Sequence, residues 1–189
     1  MSAFAVIGWG SLIWDLHDLA PVVRGPWRMR EGPALRMEFS RISPKRRRAL
    51  VVVLDPENGV PCQTHAIASR RDSIGRAVAD LAARERCAPR RIGAVCLESG
   101  HRQGACPQIA GEVARWCRET GWRGAVWTDL VPNFAAETGR RFTVGTGLAY
   151  LRGLSGESRA EAVRYIDSAP AETDTPLRRA LSAQDWWAA

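Results

Sequence analysis

The chain has 189 residues, 46% of them hydrophobic, and carries a formal net charge of +7 with a sequence pI near 9.9. This length predicts a single domain over residues 1–189 with a sizeable core, because the chain is short for two domains that each have a full hydrophobic core. No apolar run is long enough to span a bilayer and no cationic segment precedes the first one, so we expect neither a membrane protein nor a secretory signal.

The first predicted element is a buried strand over the apolar residues 4–7, and a glycine-rich turn follows it. Glycines at a strand end permit a positive φ and a close approach of the backbone to a ligand. Consecutive amides in the stretch Gly8-Trp9-Gly10-Ser11 can converge on an anion, with the serine hydroxyl as a further donor. The stretch is neither a Walker loop nor a dinucleotide fingerprint. A tight turn with packed tryptophans is the alternative.

The next elements predict a group of strands. Residues 35–42 alternate as a strand does, and the β-branched residues 49–55 read as a central strand. Residues 55–59 have the chemistry of a turn, because proline fixes φ and Asn-Gly tolerates left-handed backbone. Residues 62–69 are therefore expected to return as the second arm of a hairpin.

A helix is predicted over residues 73–87, with Asp72 or Ser73 as its cap. Its apolar residues lie at i, i+4 and i+7, and the next position on that stripe is Glu85. The helix therefore directs a carboxylate toward its buried side, which is costly unless the carboxylate is paired or lies in a solvated cavity. A buried carboxylate suits general-base chemistry. An exposed ion pair with a flanking arginine is the alternative.

The remaining elements alternate between strands and helices. We predict strands over residues 92–99 and 124–132, and helices over residues 108–122 and 158–169. The tail ends in Trp186 and Trp187, which we expect to pack against the body or to form a contact surface. This order favours an α+β domain with a mixed or antiparallel sheet over regular βαβ repetition.

The cysteines and histidines indicate the compartment and limit the metal chemistry. Five cysteines are odd in number and form no Cys-x-x-Cys pair, which is typical of reduced thiols in a cytoplasmic protein. Only three histidines occur, and no two of them share a metal-ligand spacing. We therefore expect a cytoplasmic protein without a structural zinc site.

Two stretches together resemble the gamma-glutamylcyclotransferase-like family. Residues 8–14, GWGSLIW, are similar to the Tyr-Gly-Ser-Leu-Ile-Trp loop that ends the first strand in that family, with Trp9 in place of the tyrosine. Residues 81–87, LAARERC, are similar to the Arg-Glu context of the catalytic glutamate in the glutathione-specific branch, which aligns Glu85 with that residue. The resemblance covers the first half of the chain and is weak in the second.

The resemblance implies a fold and a site. The fold is α+β, with a mixed or antiparallel sheet closing toward a small barrel and flanking helices. The backbone amides of the loop hold the α-carboxylate of a small γ-glutamyl substrate, and Glu85 is the general acid/base. The substrate-binding positions implied in the loop are Trp9, Gly10, Ser11 and Leu12.

Two further residues are weaker candidates for substrate binding. Arg41 follows a strand-like stretch and would neutralise a substrate carboxylate, with a surface arginine as the alternative. Tyr150 would donate its hydroxyl to the site, with a core tyrosine as the alternative. Residues 39–43, FSRIS, differ from the polar strand that the family places opposite the ligand.

The implied reaction is intramolecular. The free α-amine of a γ-glutamyl group attacks its own side-chain amide carbonyl, and the products are 5-oxoproline and a released amine. Because the nucleophile is already tethered, one carboxylate can manage the protons. The resemblance therefore implies no cofactor, no metal and no enzyme nucleophile. The substrate stays open between glutathione, a γ-glutamyl amino acid, a γ-glutamyl polyamine and a natural-product intermediate.

Three other functions compete with this one. A non-catalytic small-anion binding module would keep the loop without turnover. A thiol nucleophile would pair Cys62 with His65, but residues three apart on one predicted strand face opposite sides. Nucleic-acid binding would use the basic residues 45–48, but no RNA-binding signature or helix-turn-helix pattern accompanies them. We expect a small-molecule partner, no nucleic acid and no membrane.

Overall fold

The structure is a computed structural model, and it describes residues 3–187. These residues form two compact units, each assembled from two separate stretches of the chain. The first unit comprises residues 3–34 and 63–130, and the second comprises residues 35–62 and 131–187. Whether the two units make up the single domain expected from the chain length stays a prediction.

Nine strands occur within residues 3–187. In chain order they are β1 (Phe4–Gly8), β2 (Val23–Arg28), β3 (Ala34–Ser43), β4 (Ala49–Leu54), β5 (Val60–Gln63), β6 (His65–Ser69), β7 (Ile92–Cys96), β8 (Arg102–Gln103) and β9 (Gly124–Thr128). The first strand agrees with its prediction, whereas β9 ends four residues before the predicted Pro132. Two strands, β2 and β8, were missed, because β2 contains glycine and proline and β8 has only two residues.

The same residues contain six α-helices. They are α1 (Ile74–Glu85), α2 (Pro107–Thr120), α3 (Phe134–Thr138), α4 (Val144–Arg152), α5 (Gly156–Asp167) and α6 (Pro176–Ser182). The three predicted helices are confirmed as α1, α2 and α5, and Gly121 ends α2 in the left-handed conformation. None of the helices in this described part is long and apolar enough to cross a membrane.

A six-stranded sheet in the order β2-β6-β1-β9-β7-β8 is the frame of the first unit. β1 pairs in parallel with β9 and antiparallel with β6, and the other described pairs are antiparallel. A mixed sheet with helices confirms the predicted α+β class. No closed barrel occurs among residues 3–187, so the predicted closure is not found. The edge strand β2 carries a register shift and Pro26, which has no N–H to extend the pairing.

The core of the first unit lies between this sheet and α1, which packs on β9, β7 and β1. The predicted stripe is confirmed, because Val78 and Leu81 are buried with Val6 of β1 and Val126 of β9 in one apolar cluster. α1 begins after Ser73, one of the two predicted caps. The last residue of the helix, Glu85, is partly buried.

The predicted hairpin between residues 49–55 and 62–69 is wrong. β4 pairs with β3, and the sheet order β4-β3-β5 puts β3 between the two expected partners. The turn instead carries the chain across β3, where a Cβ on Gly59 would lie 2.6 Å from the backbone nitrogen of Met37. Residues 62–69 divide into β5 and β6, which belong to different sheets.

The three-stranded sheet belongs to the second unit, where α5 packs on β4 and α4 packs on α6. The tryptophan tail is packed within this unit. The Trp187 ring is buried and its Nε1 donates to Asp167 Oδ1 at 3.1 Å. The guanidinium of Arg159 lies 4.9 Å from the ring centroid of Trp186 and 4.7 Å from that of Trp187. Of the two expectations for the tail, packing against the body is confirmed.

β3 contains a buried carboxylate, Glu38, which is 0% exposed. The predicted alternation places Glu38 on the face of β3 opposite Phe39, and both residues are buried. Its Oε1 accepts from the backbone N–H of Phe39 at 2.7 Å and its Oε2 from that of Leu177 at 3.1 Å. Burial raises the pKa of Glu38, against the lowering effect of hydrogen bonds that include Thr175. This carboxylate joins β3 to the start of α6.

Replacement of Gly93 by alanine is expected to lower the free energy of unfolding by about 1–3 kcal/mol, because overpacking forces neighbours apart. An added Cβ would lie 1.9 Å from Cε2 of Trp127, the residue opposite Gly93 on β9. The control is Gly75→Ala on α1, where a Cβ meets nothing within 4 Å. We expect that change to stabilise by about 0.5–1 kcal/mol. Urea unfolding compares the two, and equal effects would contradict the packing described.

Glu38→Gln is expected to flatten the pH dependence of stability. The folded state holds the Glu38 proton more tightly than the unfolded state, whose pKa is about 4.3. The stabilising contribution is therefore complete below that pH and is lost as the pH rises through the raised folded pKa. Wild type should thus lose stability relative to the variant as the pH rises from about 4 toward 7. Urea unfolding at several pH values measures this.

The exposed Glu57 of the same unit supplies the control for that experiment. Glu57→Gln makes the same chemical change at that exposed position, so the difference between the two variants reports on the burial of Glu38. Parallel profiles for wild type and Glu38→Gln would show that the Glu38 carboxyl titrates alike in the folded and unfolded chains, contrary to the structure.

Candidate functional site

The loop that follows β1 lies at the end of the first unit's sheet where β1 and β9 terminate. β1 and β9 are parallel neighbours, with Ile7 opposite Trp127, so their carboxyl ends meet at that end. Ligands of open α/β sheets bind at the carboxyl ends of parallel strands. We call residues 9–12 the first-strand loop. Its place in the topology is one where a ligand site is expected.

The first-strand loop opens a helical turn. The N–H of Ile13 donates to the carbonyl of Gly10 at 2.9 Å, and that of Asp15 donates to the carbonyl of Ser11 at 3.0 Å. Within residues 3–187, the N–H groups of Gly10, Ser11 and Leu12 donate to no backbone carbonyl, although all three residues are buried. Buried amides without a protein partner call for water or a ligand. We call these three amides the anion cradle.

Gly8 serves close packing rather than a left-handed turn. Neither Gly8 nor Gly10 is among the described residues with positive φ. A Cβ on Gly8 would lie 2.8 Å from Cη2 of Trp27 and 3.0 Å from Cδ1 of Ile13. Gly8 therefore lets the chain pass close to the indole as it leaves β1, and this fixes where the loop begins.

Glu85 is the last residue of α1, and its side chain is only 16% exposed. Arg84 Nη1 donates to Glu85 Oε1 at 2.6 Å, and the arginine side chain is 6% exposed. The predicted inward direction of Glu85 is confirmed. The alternative is correct in that Glu85 pairs with a flanking arginine, and wrong in that the pair is not exposed. Arg86 follows in the left-handed conformation and ends the helix.

Arg84 also reaches the turn that contains the anion cradle. Its Nη2 donates to the carbonyl of Asp15 at 2.6 Å and lies 3.5 Å from Ser11 Oγ. Its Nε is buried and has no hydrogen-bond partner among residues 3–187. One guanidinium therefore joins the candidate acid to the candidate anion site. The sequence named Arg84 only as a neighbour of Glu85, because a contact across 73 positions leaves no local pattern.

The structure places the predicted site residues in different units. Trp9, Gly10, Ser11, Leu12 and Glu85 all belong to the first unit, and the contacts of Arg84 bring the loop and the acid together there. The two weaker candidates belong to the second unit, and their roles toward a substrate stay predictions.

Each of these second-unit residues has a hydrogen bond of its own. Arg41 Nη1 donates to the carbonyl of Val131 at 2.6 Å. Tyr150 lies on α4, and its hydroxyl donates to the carbonyl of Arg48 at 2.7 Å. Burial raises the pKa of Tyr150, so the hydroxyl stays protonated at neutral pH.

The structure gives no support to a cysteine nucleophile at Cys62. Cys62 and His65 lie on different strands of different sheets, not on one strand as expected. Burial raises the pKa of the Cys62 thiol to about 11, which leaves little thiolate at neutral pH. His65 Nδ1 accepts from the N–H of Arg30 at 2.9 Å, so that nitrogen already has a structural bond.

The basic run at residues 45–48 is paired within the second unit. Three of its arginines form ion pairs with glutamates of α3 and α5, namely Arg46 with Glu161, Arg47 with Glu157 and Arg48 with Glu137. A nucleic-acid surface needs cations that are available to phosphates. These pairings favour a structural role for the run.

A groove of about 540 Å³ opens elsewhere in the first unit, between β2 and the end of α2. Its walls include Arg24, Arg28 and Trp122, and the Arg28 guanidinium lies 5.0 Å from the centroid of the indole. None of the predicted site residues lines this groove. It is therefore a separate feature from the anion cradle.

Comparisons with known proteins give no information on the function of this chain. No protein-family model, no curated protein and no solved structure matches the chain. What bears on function is a group of first-unit features: the anion cradle, and Arg84 with its contacts to the Ser11 hydroxyl and the Glu85 carboxylate.

Proposed function

We propose that this protein is an enzyme of the gamma-glutamylcyclotransferase type, which releases 5-oxoproline and an amine from a γ-glutamyl compound. The observation that supports it best is the guanidinium of Arg84, which bonds Glu85 and reaches the loop that carries the anion cradle. The two motifs of the family resemblance thus converge within one unit. A carboxylate site beside a proton-transferring acid is what this reaction requires.

The anion cradle would bind the α-carboxylate of the γ-glutamyl group. Three consecutive amides of buried residues, which donate to no backbone carbonyl within the described chain, can donate to one carboxylate. The Ser11 hydroxyl and the positive charge of Arg84 add to the same attraction. Binding at this end of the substrate fixes the α-amine, which is bonded to the same carbon as the carboxylate.

The chemical step would then be a proton-managed ring closure. The α-amine nitrogen attacks the γ-amide carbonyl carbon, and the new C–N bond closes a five-membered lactam. The original amide C–N bond breaks, and the leaving nitrogen departs as an amine. Glu85 takes the proton from the attacking nitrogen and returns it to the leaving nitrogen, so no atom or charge is left over.

Tethering supplies a large part of the rate in this scheme. Effective molarities of well-oriented intramolecular reactions reach about 10⁵–10⁸ M, so the enzyme must chiefly fold the substrate and orient the acid. Arg84 holds Oε1 of Glu85 at 2.6 Å, which restricts the rotamer of the carboxylate. It also offsets the cost of keeping that charge in a site that is 16% exposed.

The second candidate function is a non-catalytic module that binds small anions on the same fold. The direct ion pair between Arg84 and Glu85 favours it, because a carboxylate held by a guanidinium can serve structure alone. Both functions use the anion cradle. They differ only in whether Glu85 moves protons, so one substitution separates them.

Glu85→Gln is expected to abolish release of 5-oxoproline and to leave the fold and the binding of 5-oxoproline in place. A glutamine still accepts from Arg84 but cannot act as a base, and loss of such a group costs about 10²–10⁴-fold in turnover. The measurement is 5-oxoproline release from glutathione, γ-glutamyl amino acids, γ-glutamyl polyamines and other γ-glutamyl amides. Release by wild type identifies the substrate class.

The control is Glu119→Gln, at an exposed position near the end of α2, which should retain full turnover. Wild-type turnover by a folded Glu85→Gln variant would eliminate Glu85 as the acid/base. Binding of 5-oxoproline without release from any compound of the panel would instead favour the binding module.

A further inference from the structure

Arg84 has an unusual environment for an arginine on a surface helix. Its side chain is 6% exposed, and it contacts three groups in two parts of the first unit: the Glu85 carboxylate on α1, and a backbone carbonyl and a hydroxyl in the turn after β1. Arginine is almost never this buried unless it is paired. Such burial indicates a role beyond solubility.

On the helix side, Arg84 compensates two electrostatic penalties at Glu85. Glu85 is the last residue of α1, where the helix macrodipole disfavours a negative charge. Its side chain is also largely withdrawn from solvent. Neighbouring residues within a helix do not normally face each other, so this contact depends on α1 ending at Glu85. The ion pair at 2.6 Å orients the carboxylate at that end.

On the loop side, Arg84 contacts both ends of one hydrogen-bonded turn. The carbonyl of Ser11 accepts from the N–H of Asp15, which closes the turn. Arg84 Nη2 donates to the carbonyl of Asp15 and lies within 3.5 Å of Ser11 Oγ. Movement of the guanidinium would therefore disturb the backbone that presents the cradle amides.

We propose that Arg84 is the positioning residue that couples the anion cradle to Glu85, supplying positive charge to a bound carboxylate while it orients the acid. The identity of the anion, the carboxylate of a γ-glutamyl group, rests on the proposed function. A lysine cannot replace Arg84 fully. The planar guanidinium donates to the Glu85 carboxylate and to the Asp15 carbonyl through two different nitrogens, whereas lysine has a single ammonium nitrogen.

The test uses calorimetric titration of 5-oxoproline, which carries a carboxylate and no amine, into wild type, Arg84→Gln and Arg84→Lys. Arg76→Gln is the control, since it removes one charge from an exposed position of the same helix. We expect unchanged binding in Arg76→Gln, binding weaker by at least about tenfold in Arg84→Gln, and a smaller loss in Arg84→Lys. Circular dichroism establishes that each variant is folded.

Turnover of the same variants separates positioning from plain structural support. Arg84→Lys keeps the charge and loses the fork, so its kcat should fall by about tenfold or more while KM changes less. Guanidinium chloride at millimolar concentration should restore part of the turnover of Arg84→Gln, because it refills the site of the missing group. A residue that only stabilises the fold would lower the melting temperature and show neither the kcat–KM split nor the rescue.

The outcomes distinguish this inference from the proposed function. Binding of 5-oxoproline that depends on Arg84, without turnover by wild type, supports the inference and overturns the cyclotransferase. The inference is overturned if Arg84→Lys binds 5-oxoproline with wild-type affinity and turns over with wild-type kcat. This test does not depend on whether Arg84→Gln folds. Wild type that does not bind 5-oxoproline overturns it as well.

Discussion

One buried guanidinium holds the candidate site together. Arg84 is 6% exposed and bonds Glu85 on α1 and the turn after β1, which are distant in sequence. Breaking a buried ion pair by removing one partner costs about 3–5 kcal/mol, because the other charge is left without compensation. The position of Glu85 and the shape of the first-strand loop are therefore energetically linked.

The sheet makes that link geometrically possible. The parallel pairing of β1 with β9 fixes where the first-strand loop emerges, and α1 packs on both of these strands. Gly8 allows the chain to leave β1 close beside Trp27, where a Cβ would be 2.8 Å from the ring. The fold thus sets the loop and the end of α1 within reach of one arginine side chain.

Local patterns predicted what depends on neighbours in sequence. The stripe of α1 gave the inward direction of Glu85 correctly, and the glycine-rich stretch marked the end of β1. Tertiary constraints explain what these patterns missed: β3 separates β4 from β5, and the buried Glu38 accepts from the backbone N–H of Leu177, 139 positions away. Arg84 was not predicted as a site residue, because its contacts with Ser11 and Asp15 join distant parts of the chain and leave no local sequence pattern.

The proposed site binds a carboxylate at the anion cradle, where Arg84 contributes positive charge. The most direct measurement is a ¹⁵N–¹H correlation spectrum of labelled protein during titration with 5-oxoproline. We expect the largest shifts at the amides of Gly10, Ser11 and Leu12 and at the Nε–H of Arg84. Shifts confined to the groove of Arg24, Arg28 and Trp122, or none at saturating ligand, would contradict the account.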